Sequence, residues 1–119
     1  GILIKENHIM AAGGIAAALE QARAIGRNDV FIQIEVETIE QLAEALDAGA
    51  RMILLDNMDL AQMRQAVGLT AGRAELEASG GVSLENVRAI AETGVDRISI
   101  GGLTKNVHAV DLSLRHSEG

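Results

Sequence analysis

The sequence predicts an α/β protein of five parallel βα units, forming the C-terminal part of a TIM-like α/β barrel that is incomplete within these 119 residues. Three observations carry that expectation. Short β-branched runs alternate five times with longer Ala-, Leu- and Glu-rich stretches at helical spacing. The phrases DAGARMILL (47–55) and ETGVDRISI (92–100) each repeat a helix end, a glycine turn and a strand. Polar side chains also gather toward the carboxyl ends of the strands, where α/β barrels hold their chemistry.

Strands are expected near 2–6, 30–36, 51–55, 73–78 and 96–100. Helices are expected near 14–26, 38–48, 59–67 and 84–93, with a short last one from about 103 to 112. In the first strand, alternation turns Leu3, Lys5 and Asn7 toward the barrel interior. AAGGI (11–15) reads as a loop entering the first helix. VFIQIEVE separates Val30, Ile32, Ile34 and Val36 from Phe31, Gln33, Glu35 and Glu37. The aliphatic set packs on helices, so Gln33 and Glu35 point inward, where an ionised carboxylate needs a metal, a cation or water.

Thr38 stands where an N-cap belongs, with Gln41 as its capping-box partner, and Ser83 with Asn86 is a weaker version. Leu42, Ala45 and Leu46 share one face of the second helix, while Glu40, Glu44 and Asp47 face water. Gly49 and Gly94 follow helices where a left-handed stop is wanted. By the same alternation Met52, Leu54 and Asp56 point inward from the third strand, and Glu75, Glu77 and Ser79 from the fourth. A complete (β/α)8 barrel takes about 250 residues, so residues 1–119 read as a single domain fragment lacking the first barrel strands. Such a sheet has two open edges, covered either by the missing part or by self-association.

Composition narrows the function. Ten Lys+Arg against seventeen Asp+Glu leave a net charge of −7, with no basic stretch and one aromatic residue, which argues against nucleic-acid binding. No apolar run approaches the roughly 18 residues of a membrane span, and the absence of Cys fits the cytoplasm. An anionic ligand would therefore need a divalent cation or basic residues from elsewhere.

Lys5, Glu35, Asp56, Glu77 and Ser79 all fall toward the carboxyl ends of their strands, the alternative being solvated turn residues or an ion-pair layer. Two glycine turns follow the last two strands, Ser79–Gly81 and Gly101–Thr104. Glycine lets the backbone approach an anion closely, so both are candidate phosphate cradles. Asp56 and Glu35 offer oxygen ligands for Mg²⁺. The three His share no zinc-ligand spacing; His8 is placed near the site and His116 in the tail, and no His supports Ser79 as a nucleophile.

These motifs resemble a known family. LIKENHI (3–9), IEVET (34–38), LLDNM (54–58), LEASGG (76–81), AETGVDRISIGGLTK (91–105) and AVDLSLR (109–115) are similar to the barrel domain of the quinolinate phosphoribosyltransferases. The resemblance implies an enzyme of NAD synthesis that joins quinolinate to phosphoribosyl pyrophosphate with Mg²⁺. Its products are nicotinate mononucleotide, pyrophosphate and CO₂. Carried over by motif, Lys5 contacts substrate anions, and Glu35 and Asp56 serve the ribose hydroxyls and the metal-pyrophosphate. Ser79, Gly80, Gly81, Gly101 and Gly102 cradle phosphate, with Lys105 beside them. Gly102 stands where Ala is usual, and Gln33 where Glu is frequent. The family's Arg residues for the quinolinate carboxylates lie in its amino-terminal part and on a dimer partner, so the resemblance implies a homo-oligomer and an inactive isolated fragment. Two other readings share these residues: a non-catalytic phosphate-binding or self-assembling half-barrel, and a paralogous barrel of metal-transport operons.

Overall fold

The structure, a computed structural model, describes residues 2–5, 9, 13–25, 32–100 and 103–107. Its elements are β1 (Ile2–Ile4), α1 (Ile15–Ile25), β2 (Ile32–Val36), α2 (Ile39–Asp47) and β3 (Met52–Asp56). They continue with α3 (Leu60–Thr70), β4 (Glu75–Ser79), α4 (Val87–Glu92), β5 (Arg97–Ile100) and β6 (Leu103–Asn106). One sheet runs β1-β2-β3-β4-β5-β6, with the first five strands parallel. Each parallel strand lies beside its predecessor, so right-handed crossovers put every intervening helix on the same side of the sheet. That is the arrangement of a barrel wall.

The register shows where the core sits. Ile4, Ile34, Ile53 and Leu76 align across β1 to β4, and Val36, Leu55, Ala78 and Ile98 across β2 to β5. All eight are buried, most of them completely. They meet Leu42, Ala45 and Leu46 of α2, Met63 and Ala66 of α3, and Val87 and Ile90 of α4 in one apolar cluster. Burial of each large aliphatic side chain contributes about 1.5–3 kcal/mol, so this face drives folding. The opposite face carries Leu3, Gln33, Glu35, Met52, Asp56, Glu77 and Ser79, all partly or well exposed, with Leu54 nearly covered among them.

Local signals act largely as expected. Thr38 caps α2 by accepting from the Gln41 N–H at 3.1 Å, and Gln41 Oε1 reaches back to the Glu37 N–H at 2.7 Å. A full capping box at Asp59 and Gln62, unnoticed in DLAQ, starts α3. Gly49 and Gly94 are left-handed behind α2 and α4. Helix α3 runs on through Gly68 to Thr70, past the expected end near 67, because Thr70 is still packed against the core at 2% exposure. Helix α4 is shorter than expected. Asn86 Oδ1 accepts from the Ser83 N–H at 2.8 Å, and residues 84–86 are spent on that turn.

One element is corrected. In place of the start of a helix over 103–112, residues 103–106 form β6, antiparallel to β5 with Ile100 opposite Leu103. Only Gly101 and Gly102 separate the paired strands, and a two-residue Gly-Gly link between alternating runs is a hairpin signal. Pairing β5 satisfies backbone groups that would otherwise be left at an open edge. Residues 108–112 lie outside the described residues.

Candidate active site at the carboxyl ends of the strands

Three carboxylates converge where β2 and β3 end. Glu35 and Asp56 are half-buried and Glu37 is exposed, and each offers one oxygen such that all lie within 4.8 Å of one another. Period-two alternation puts Glu35 and Glu37 on one face of β2, and parallel pairing of Glu35 with Leu54 brings Asp56 alongside. Burial raises the Glu35 pKa above its ordinary 4.5, and the hydrogen bond to Asp56 and that group's negative charge raise it further. Glu37 adds to the rise, while the Lys5 ammonium lowers it. A raised Glu35 pKa is the expected response to a site with too much negative charge and too little positive.

This shift has a definite sign. Folded Glu35 holds its proton to higher pH than the unfolded chain does, so stability is fullest below about the unfolded carboxylate pKa and falls as pH rises through the raised folded value. Urea midpoints measured between about pH 4 and 7 should fall across that window in the wild type, and the fall should be reduced in Glu35→Gln. An equal pH slope in the variant would remove Glu35 as its source.

The β4 end closes the other side. Ser79 pairs with Asp56, and the Asn57 N–H donates to Ser79 O at 3.0 Å, tying the two strand ends together. Asn57 adopts φ +55°, a left-handed conformation that asparagine tolerates better than most residues. Gly80 follows at φ +82°, where an added Cβ would stand 2.9 Å from Asp56 Oδ1 and press on the Asn57 amide. Gly81 follows at φ +69°, its carbonyl accepting from Asn86 Nδ2 at 2.8 Å. Among the described residues neither the Gly80 nor the Gly81 N–H has a protein acceptor, as an anion-binding turn requires. The dipole of α4 adds little, because that helix starts only at Val87 and has six residues.

Below the acids, Glu77 Oε1 accepts from Gln33 Nε2 at 3.4 Å and its Oε2 accepts from Thr104 Oγ1 at 3.4 Å, linking β2, β4 and β6. Lys105 is not brought to this cluster. It pairs with Ile98, which is fully buried on the helix-covered face, so the register puts Lys105 on that face of β6. Gly101, Gly102 and His8 lie outside the described residues. The structure thus joins Lys5, Glu35 and Asp56 with Ser79 and Gly80, and it adds Glu37 and Asn57, which were not singled out. Strand alternation carried the signal for Glu37, and an Asn directly after the last strand residue of LLDNM carried that for Asn57.

Residues 1–115 match the family described as Quinolinate phosphoribosyl transferase, C-terminal domain. The chain belongs to this family. A probable nicotinate-nucleotide pyrophosphorylase [carboxylating] of Bacillus subtilis (strain 168) is 45% identical over 114 residues, covering 96% of this chain and 39% of that protein. The crystal structure of the nicotinate-nucleotide pyrophosphorylase from Ehrlichia chaffeensis superposes with a TM-score of 0.78 at 46% identity, over 85% of this chain and 36% of that one. The thiamine phosphate pyrophosphorylase of Pyrococcus furiosus, 23% identical, shares the fold with a TM-score of 0.67 over 98% of this chain and 57% of its own. The chain therefore spans well under half the length of its quinolinate phosphoribosyl transferase relatives. Within this family, IEVET, LLDNM and EASGG place three motifs on three consecutive strand ends, β2 to β4, of one barrel wall.

Proposed function

We propose that this chain is the part of a quinolinate phosphoribosyltransferase that holds the phosphoribosyl pyrophosphate end of the reaction, which yields nicotinate mononucleotide, pyrophosphate and CO₂ in NAD synthesis. The observation that carries the reading is the Glu35, Glu37 and Asp56 cluster set against the Ser79–Gly81 turn. Three convergent carboxylate oxygens suit a hard divalent cation such as Mg²⁺. Glu35 and Asp56 would hold it, and bound there it would offset the charge of a departing pyrophosphate. Ser79 and the Gly80 and Gly81 amides take the phosphate oxygens, and Lys5 meets the substrate's negative charge. No residue here need form a covalent bond to the sugar, since anion clamps and preorganised dipoles stabilise the charge that develops.

Lys5 is the cation acting on Glu35, and a quinolinate dianion facing three carboxylates requires more positive charge than that. The rest comes from a longer chain or a partner subunit, in a cytoplasmic homo-oligomer. The chain alone should accordingly show no turnover above background. Calorimetric titration with Mg²⁺-pyrophosphate tests its own share of the site. Saturable binding should weaken at least tenfold in Asp56→Ala, and equal affinity in the two proteins would remove Asp56 from the metal site.

A further inference from the structure

A cavity lies at the other end of the sheet. It has a volume of about 750 Å³ and opens at the amino-terminal ends of β3, β4 and β5, with Arg51, Thr70, Arg73, Glu75, Asp96 and Arg97 in its wall. Asp56 in the acid cluster stands four positions along β3 from Met52, in the cavity wall. At about 3.3 Å per strand residue the two sites stand roughly 13 Å apart. The cavity collects three of the eight arginines of a chain whose net charge is −7, so its wall differs in charge from the carboxylate site.

The acids and arginines of the wall are largely committed to one another or to the backbone. Arg97 Nη2 meets Glu75 Oε2 at 3.0 Å, and Asp96 Oδ2 accepts from the Leu76 N–H at 2.9 Å. Arg73 donates to Leu69 O at 2.9 Å and to Thr70 O at 3.2 Å, which fixes its guanidinium over the last turn of α3. Arg51 is exposed, and among the described residues its guanidinium has no partner. Thr70, one of the residues around the cavity, has a hydroxyl that is buried without a hydrogen-bond partner.

The geometry points to a second ligand site here, for a small organic oxyanion bearing phosphate or carboxylate. Arg51 supplies a planar two-pronged donor to the anion, Arg73 holds a fixed positive charge beside it, and the volume lies in the range of small-molecule pockets. The site is separate from the proposed phosphoribosyl end and does not depend on that assignment.

Amide-resolved NMR of the ¹⁵N-labelled chain tests it, with inorganic phosphate and succinate as probes, added at constant ionic strength against a chloride control. At least one probe should shift the Gly72 and Gly94 signals saturably, and which probe binds more tightly separates phosphate from carboxylate. The affinity read at these two amides should fall at least tenfold in Arg51→Gln, while any response of Gly80 and Gly81, which reads the carboxyl-end site, should not change. Arg51→Lys keeps the charge but loses the fork and should weaken binding about threefold or more, which preserves the comparison if Arg51→Gln does not fold. Shifts that fail to saturate, that chloride reproduces, or that persist with unchanged affinity in the arginine variant that folds would overturn the site.

Discussion

Leu55→Ala is expected to lower the free energy of unfolding by about 2–5 kcal/mol, the range for truncating a large aliphatic side chain in a close-packed core. Leu55 is fully buried in the middle strand of the helix-covered face, between Val36 and Ala78 in register, so neighbours on both sides limit how far the cavity can collapse. Urea unfolding followed by far-UV circular dichroism reads the effect, since the chain has no Trp or Tyr for fluorescence. Met52→Ala on the same strand is the comparison. Its side chain sits on the other, partly exposed face, and it should cost clearly less. Equal losses for the two variants would mean that the two faces of the sheet are not energetically distinct.

The second large effect is at Gly80. Gly80→Ala forces an L-residue into a left-handed conformation, at roughly 1–2 kcal/mol, and also drives a methyl group against Asp56 Oδ1 and the Asn57 amide. Gly81→Ala carries similar backbone strain, but its added Cβ meets open space. Gly80→Ala should therefore lose about 1 kcal/mol more than Gly81→Ala, a typical cost of overpacking. It alone should also alter the Glu35 titration, because Asp56 is the group displaced. Carboxyl-resolved NMR titration checks this second readout. Matching stability losses with an unchanged Glu35 curve in both variants would show that the Gly80 turn does not hold Asp56 in place.

Much of the site was legible because strand chemistry repeats at period two. Once VFIQIEVE, MILLDN and RAELEASG were read as strands, Glu35, Asp56 and Ser79 had to share a face and an end of the sheet. Alternation alone does not say how near two strand ends come, so the meeting of Glu37 with Glu35 and Asp56 appeared only with the pairing register. Lys105 shows the opposite case. Placed in a helix after a glycine turn, it could have faced the phosphate. In an antiparallel strand opposite Ile98, it goes to the helix-covered face.

By itself, the sequence determined the βα alternation, the helix stops at Gly49 and Gly94, the aliphatic face of the first four parallel strands and the motifs that place the chain in its family. These are local or periodic properties, set by backbone conformation and by which side chains avoid water. Tertiary structure decided the rest: the extension of α3 to Thr70, the turning back of residues 103–106 as β6, the closeness of three carboxylates and the arginine-lined cavity at the far end. Each of those depends on which strands become neighbours and which backbone groups would otherwise lack partners, a condition that only the assembled sheet imposes.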